Sequence, residues 1–391
     1  MTSPSSQPKG VIVLGAAPEA IHAVRELAAL GHRVDWIPLE EMERPADLPP
    51  NGIMHTHGIL LGFEGQAGEF IAQVRCGEAV ERISAGAVLI ALGNARYYPQ
   101  ARYGLPLGPR VLTPSQVRKH LEERSLAAIL ARRSAHLLVM LDLGGETCRE
   151  TAVEALYLAR DLRQGHAEIT LFYRDLKVDS APLERLTRAM RHEGIVFCRY
   201  DTASIHLDEE GVRIEAPDGP VRGDALILPE AVQPHPATSE LAALLKVRLG
   251  ADGFFQEVNI RHYRPGLSNR KGIYFAGRCH MDADLELALE DASRGVASID
   301  AFLHSLDEPP SGAFAEVDRG QCIRCLTCVR TCPHRAAEMV EREGLLAAYI
   351  DARACWGCGI CVAHCPAQAI SIKGEEMPSW LTAAPQGAYA R

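Results

Sequence analysis

Short apolar runs alternate with amphipathic stretches along most of this chain. Val11–Gly15 is an unbroken apolar run of the kind that sits in a sheet covered on both faces. Pro18–Leu30 then places Ile21, Val24, Leu27 and Leu30 at helical spacing, Gly31 ends the pattern, and Val34–Ile37 is again apolar. Further strands are expected at His57–Gly62, Phe70–Arg75 and Ala87–Leu92, with a turn-rich exit from Gly93 to Pro99. Helical spacing predicts helices at Pro114–Glu122 and Leu126–Arg132.

A second strand–helix–strand pattern starts at Leu137–Leu141. It continues through Gly144-Gly145, a helix over Arg149–Arg163 and a strand at Glu168–Tyr173. A helix (Leu183–Glu193), a strand (Val196–Arg199), hairpin signals at Asp208–Gly211 and Asp218-Gly219 and a strand at Ala225–Leu228 follow. Gly272–Gly277 reads as a last buried strand and Leu285–Leu306 as a long helix. Two such strand–helix–strand units, one inside the other, predict an α/β chain with two Rossmann-type domains. The expected limits are a disordered N-terminus (1–9), a first domain split into 10–118 plus 232–306, and an inserted domain at 119–231. A linker at 307–313, a cysteine-rich α+β module at 314–373 and a tail at 374–391 complete the chain.

The strongest chemical signal lies in that module. Eight of the twelve cysteines form two runs, each spaced C-x2-C-x2-C-x3-C-P. The first holds Cys322, Cys325, Cys328 and Cys332, and the second repeats it 33 positions later (322 to 355, 325 to 358, 328 to 361, 332 to 365). This is the spacing of bacterial two-cluster ferredoxins, in which the cysteine before the proline serves the other cluster. Cluster 1 would therefore take Cys322, Cys325, Cys328 and Cys365, and cluster 2 would take Cys355, Cys358, Cys361 and Cys332. Zinc sites use cysteines in pairs and leave the third one idle, and disulfides require an oxidising compartment. Arg324 and Arg330 lie between the ligands of the first run, where their charge would raise the potential of the cluster held mainly there; solvated arginines are the plainer alternative.

Composition narrows the setting. The chain has 391 residues, 47% hydrophobic content and a net charge of −9 without a basic block, which argues against nucleic-acid binding. No apolar stretch approaches a membrane span, and the polar start does not read as a signal peptide. A cytoplasmic protein, not embedded in a membrane, is expected. Cys76, Cys148, Cys198 and Cys279 are scattered and are taken as buried, inert thiols.

The segments Gly62–Phe70, Ala91–Gly93, Leu171–Lys177, Asp252–Glu257 and Gly272–Gly277, in that order and ahead of the double cysteine run, resemble the heterodisulfide reductase HdrA-like family. The resemblance implies a thioredoxin-reductase-like pair of Rossmann-type domains followed by the two-cluster ferredoxin domain. It implies FAD beside the two [4Fe–4S] clusters, and work inside larger complexes with other iron–sulfur, flavin or metal-dependent redox subunits. Some relatives use the flavin for electron bifurcation, and a homodimer within a larger complex is compatible with the family.

The flavin fingerprint departs from that family. Where G-x-G-x-x-G is expected, only Gly15 remains, followed by Ala17 and Ala20, and Glu19 places a negative charge where two phosphates would lie. Pro38 stands where an acid would hold the ribose, and the stretch from Leu39 to His57 lacks the flavin-wrapping segment. Gly144-Gly145 followed by Glu146 is a poor nicotinamide-dinucleotide turn. Gly15 and Gly277 are the cofactor-binding candidates should FAD be kept, with Arg278 and His280 beside Gly277. FAD is disfavoured; an unusual FAD site, another ligand or a retained scaffold all stay open. No residue is assigned a catalytic role. The leading expectation is an electron-transfer subunit that passes single electrons between partners. A flavin-dependent oxidoreductase and a free-standing ferredoxin-type carrier are the alternatives.

Overall fold

The computed structural model of the chain describes residues 10–123, 135–145, 148–258, 266–308, 312–342 and 344–374. The expected N-terminal segment, the helix over Leu126–Arg132, Glu146, part of the linker and the tail beyond 374 lie outside the described residues.

The described chain forms two compact units. The first gathers residues up to Gly93, Ala237–His280 and the chain from Leu289 onward. Its centre is a parallel five-stranded sheet, in spatial order Ile273–Phe275, Ala87–Ile90, Val11–Leu14, Val34–Ile37 and Gly52–Met54. Four of these strands, all but Gly52–Met54, are buried at every position, which is why they read as apolar runs rather than alternating ones. The helix Pro18–Ala29 covers the sheet with Ala20, Ala23, Val24, Leu27 and Ala28. Its buried stripe keeps Val24 and Leu27 of the face expected from spacing, with Ile21 packed partly buried beside them, and adds alanines that let the helix approach closely. Leu30 falls beyond the last helical residue and is 53% exposed. Beside the sheet, Ile59–Gln66, Glu69–Cys76 and Ala79–Ala85 form an antiparallel meander joined by two-residue turns.

The cysteine-rich module belongs to the same unit. Two antiparallel strand pairs, Phe314–Val317 with Ile370–Lys373 and Ala337–Arg342 with Leu345–Ile350, frame two short helices, Thr327–Thr331 and Ile360–Ala363. The segment after residue 266 is its platform. Asn269 donates to the Pro333 carbonyl at 2.8 Å and accepts from His334 at 2.9 Å. Lys271 Nζ donates to the Cys355 carbonyl at 2.5 Å, and Gln66 donates to the Arg335 carbonyl at 3.0 Å.

The second unit comprises Asn94–Pro236 and Met281–Ala288. Its parallel sheet runs Val196–Arg199, Glu168–Tyr173, His136–Met140, Ala225–Ile227 and Val111–Leu112, with the helices Arg149–Gln164 and Ala181–His192 packed into its core. A three-stranded antiparallel sheet closes one side, its turns at the two expected Asp/Gly sites. Residues 94–118, expected in the first domain, lie in this unit: Asn94–Tyr97 pairs antiparallel with Ala231–Pro234, and Val111–Leu112 extends the sheet. Among the described residues no helix is long and apolar enough to cross a membrane. The architecture is thus a pair of Rossmann-type units, the second inserted in the first, with the cysteine-rich module at the C-terminal end.

Candidate functional site

The eight cysteines gather around two separate cavities. Cys322, Cys325, Cys328 and Cys365 line one, with Val317, Met339 and Ile370 as apolar wall. Cys332, Cys355, Cys358 and Cys361 line the other, beside Pro333 and Trp356. The two proline-linked cysteines thus each cross to the cavity of the opposite run. Cys325 and Cys358 are exposed, while the other six are buried or half-buried, so each cavity has one edge near solvent.

Local backbone makes this possible. The loops must curl so that three thiols face inward, and this requires left-handed residues at equivalent places in both runs. Arg324 (φ +60°) matches Gly357 (+65°), Leu326 (+63°) matches Gly359 (+73°), and Arg335 (+57°) matches Gln368 (+52°). The second run meets two of these demands with glycine and the first meets them with side chains that resist them. Backbone amides point at the sulfurs: Ala348 to Cys322 (3.5 Å), Ala369 to Cys365 (3.3 Å), and both Ala315 and Gly357 to Cys355 (3.4 Å each). Hydrogen bonds of this kind tune the potential of an iron–sulfur centre. Thr327 holds the Cys325 thiol below its ordinary pKa, and burial pushes Cys361 up to about 11.

The dinucleotide-type turns are built differently. Gly15 has φ +122°, and a Cβ there would lie 2.2 Å from the Ala91 carbonyl oxygen, so glycine is required by the approach of two strand ends. Ala17 turns its methyl toward Gly93, within 3.1 Å of the place a Cβ would occupy. Trp36, fully buried, donates to the Gly15 carbonyl at 2.7 Å. Glu19, in the first turn of its helix, is 0% exposed. It accepts from Arg278 Nη2 (2.9 Å), Nε (3.2 Å) and the backbone amide (3.2 Å). Gly277 must be glycine for the same reason, since a Cβ there would meet Glu19 Cγ at 2.8 Å.

His280 follows two residues after Arg278, its side chain 2% exposed, 2.8 Å from Asp291 and 3.3 Å from Glu257. Burial alone would lower its pKa, but hydrogen bonds to the two carboxylates raise it, to about 9. Burial alone would raise Asp291, and the His280 contact instead holds it below the ordinary carboxylate range. Arg278 and His280, both considered as donors to a cofactor, are thus engaged by the protein's own carboxylates.

In the second unit the helix Arg149–Gln164 starts after Gly144-Gly145. Its amide groups at Arg149 and Glu150 donate to the Asp282 carboxylate at 2.8 and 3.3 Å, and the Cys148 thiol does so at 3.1 Å. Arg102 packs against the glycines, its Nη1 2.8 Å from where a Cβ of Gly145 would stand. Burial, with Asp282 adjacent, pushes the Cys148 thiol up to about 11. Nothing in the sequence singles out the partner of Glu19 or the Asp282 cap, because each joins positions more than a hundred residues apart. The left-handed pairs were within reach, since they follow the 33-residue repeat.

Residues 321–369 match the family model described as 4Fe-4S dicluster domain. Over 203 residues the chain is 30% identical to an iron-sulfur A-type subunit of the CoB--CoM heterodisulfide reductase of Methanopyrus kandleri, covering 49% of this chain and 31% of that protein. It is 25% identical over 258 residues to an A-type heterodisulfide-reductase-like protein of Archaeoglobus profundus, covering 60% and 37%. The chain spans about a third of the length of the curated relatives it matches. Thioredoxin reductase of T. acidophilum superposes at 12% identity with a TM-score of 0.48, over 76% of this chain and 99% of that one. With its dicluster domain and these sequence similarities, the chain is distantly similar, over part of its length, to A subunits of heterodisulfide reductases.

Proposed function

We propose that this chain is a flavin-free electron-relay subunit of a heterodisulfide-reductase-type complex, holding two [4Fe–4S] clusters between partner subunits. The observation that carries the reading is the buried Glu19–Arg278 pair at the first dinucleotide turn. The N-terminus of a helix attracts phosphate because its amides and dipole favour negative charge. Here a carboxylate of the chain already lies in the first turn, with its own counter-ion and no exposure to solvent. A pyrophosphate would have to displace that pair and pass the Ala17 methyl, so the residues present do not fit FAD. The Asp282 carboxylate on the second helix terminus argues in the same way against a nicotinamide dinucleotide.

The cysteine cavities do fit their group: four thiols line each, with apolar walls and amides aimed at sulfur. When bound, the two clusters supply one-electron transfer and no substrate chemistry. Cys322, Cys325, Cys328 and Cys365 would hold one, and Cys332, Cys355, Cys358 and Cys361 the other. The exposed edges at Cys325 and Cys358 are where partners can approach closely. Asn269, Lys271 and Gln66 fasten the module to the sheet unit, which suits a fixed relay better than a carrier that diffuses.

A coulometric titration tests this. The anaerobically purified chain is expected to hold about eight irons and take up about two electrons, one per cluster. Uptake of about four would require a flavin and contradict the proposal.

A further inference from the structure

At the edge of the first sheet three ligand-type side chains meet outside the cysteine module. His55 follows the strand Gly52–Met54 and is 9% exposed. Its Nε2 lies 3.0 Å from Asp35 Oδ1, and Asp35 is buried and also accepts from Arg33 Nε at 3.0 Å. A carboxylate only accepts, so in the neutral imidazole this contact favours the proton on Nε2 and leaves Nδ1 as the ligand atom. Nδ1 faces Glu81 Oε2 at 3.5 Å and Cys76 Sγ at 3.9 Å. One ligand atom from each of His55, Cys76 and Glu81 lies within 4.8 Å of the other two.

The fold brings them together for identifiable reasons. In the hairpin of Glu69–Cys76 and Ala79–Ala85, Glu81 is directly opposite Val74, so Cys76, two positions on, points from the same face. His57 (φ +55°) and Gly58 turn the chain sharply, and the Gly58 amide donates to the His55 carbonyl at 3.1 Å. A Cβ at Gly58 would meet that carbonyl at 2.9 Å and Val74 at 3.2 Å, so the histidine loop is pressed against the hairpin.

We propose that His55 Nδ1, Cys76 Sγ and Glu81 form a binding site for one zinc-class dication, clipping the edge of the parallel sheet to the meander. Ligand atoms bound to tetrahedral zinc at about 2.0–2.3 Å stand roughly 3.3–3.8 Å apart. The 3.5 Å between His55 and Glu81 lies inside that range, and the 3.9 Å between His55 and Cys76 lies just beyond it. One thiolate, one imidazole and one carboxylate suit a borderline metal better than calcium or magnesium. The Asp35–His55 contact is the carboxylate–histidine support that metal-bound imidazoles usually carry. Three protein ligands leave one coordination position open, and the half-exposed Glu81 side chain gives the ion a way in. Coordination takes the thiolate, so binding at Cys76 would release a proton. This inference does not depend on the relay reading.

The test uses the full chain with its clusters loaded. Zinc is added anaerobically, excess is removed by gel filtration, zinc and iron are counted together, and the zinc shell is read by X-ray absorption. The expected result is about one zinc per chain in a mixed shell with a single sulfur, and iron unchanged. Cys76→Ser and Glu81→Gln should each weaken zinc binding by at least about tenfold, and Asp35→Asn by about 10–100-fold. The two partly exposed substitutions should leave the iron count intact, which reports that the fold survives. No retained zinc, an all-sulfur shell, or wild-type affinity in both Cys76→Ser and Glu81→Gln would overturn the proposal.

Discussion

The Gly15–Ala20 turn and the two cysteine runs are both ligand-site patterns in one compact unit, yet they have been built to opposite ends. Around the cysteines the protein leaves cavities that four thiols each line, with amides turned toward sulfur. At the turn the chain's own groups take up the place. Glu19 lies over the glycine at 277, Arg278 answers its charge, Ala17 fills the gap to Gly93, and Trp36 closes on Gly15. A site is kept by groups that lack partners until the ligand arrives, and lost when the chain supplies those partners itself. Both glycines persist at the turn, for packing. A surviving glycine is therefore weak evidence for a cofactor, and a set of converging, otherwise unsatisfied ligands is strong evidence.

The sharpest way to break the contrast is at the crossing cysteine. Cys365→Ser should remove a ligand from the cavity otherwise built by the first run and reduce bound iron from about eight toward about four per chain. Iron analysis with EPR checks this, and loss confined to the second run's cluster would overturn the assignment. Next in size, Glu19→Gln breaks the buried ion pair with Arg278 and should cost about 3 kcal/mol, read by anaerobic chemical denaturation. If the substitution is neutral, the pair is not what fills the turn.

The His280 cluster gives a pH signature. Its pKa is raised in the fold to about 9, so its stabilisation is complete below its ordinary value near 6.5 and is lost as pH rises through 9. Asp291, held low, contributes the reverse: its share is lost as pH falls into the acid range. Stability should decline by a few kcal/mol between about pH 7 and 9, and His280→Gln should flatten that slope. A slope unchanged in the variant would count against the ion cluster.

Smaller effects separate the two helix termini and the two runs. Asp282→Ala removes the cap on Arg149–Gln164 and should cost about 1 kcal/mol by thermal melting. Leu326→Gly relieves a left-handed leucine where the second run has Gly359, and should stabilise the module by less than about 1 kcal/mol. An EPR redox titration can also rank the clusters. The charge of Arg324, which lines the first cavity, predicts the higher potential there, and Arg324→Gly should narrow the gap.

Much of this was legible in the residues alone. The two Rossmann-type sheets announced themselves as apolar runs because both faces are covered, and the cysteine spacing named the clusters because thiolates must converge on a cubane. Glu19 could be recognised as hostile to phosphate. Its partner could not, since Arg278 stands 259 positions away and only the fold brings the two together. Asp282 and the His55–Cys76–Glu81 group were hidden for the same reason: each is an ordinary surface-type residue until a strand register or a turn sets it beside the others. The helix face at Pro18–Ala29 was legible in Ile21, Val24 and Leu27 but not in its alanines, because spacing weighs bulky residues.

The central claim rests on one measurement. The chain is purified without oxygen, precipitated with acid, and the released flavin is counted against protein and iron. The account predicts about eight irons and no flavin, with the turn at Gly15 serving as scaffold. One FAD per chain would mean that the Glu19–Arg278 pair opens to a pyrophosphate, and the relay would give way to a flavin-dependent enzyme.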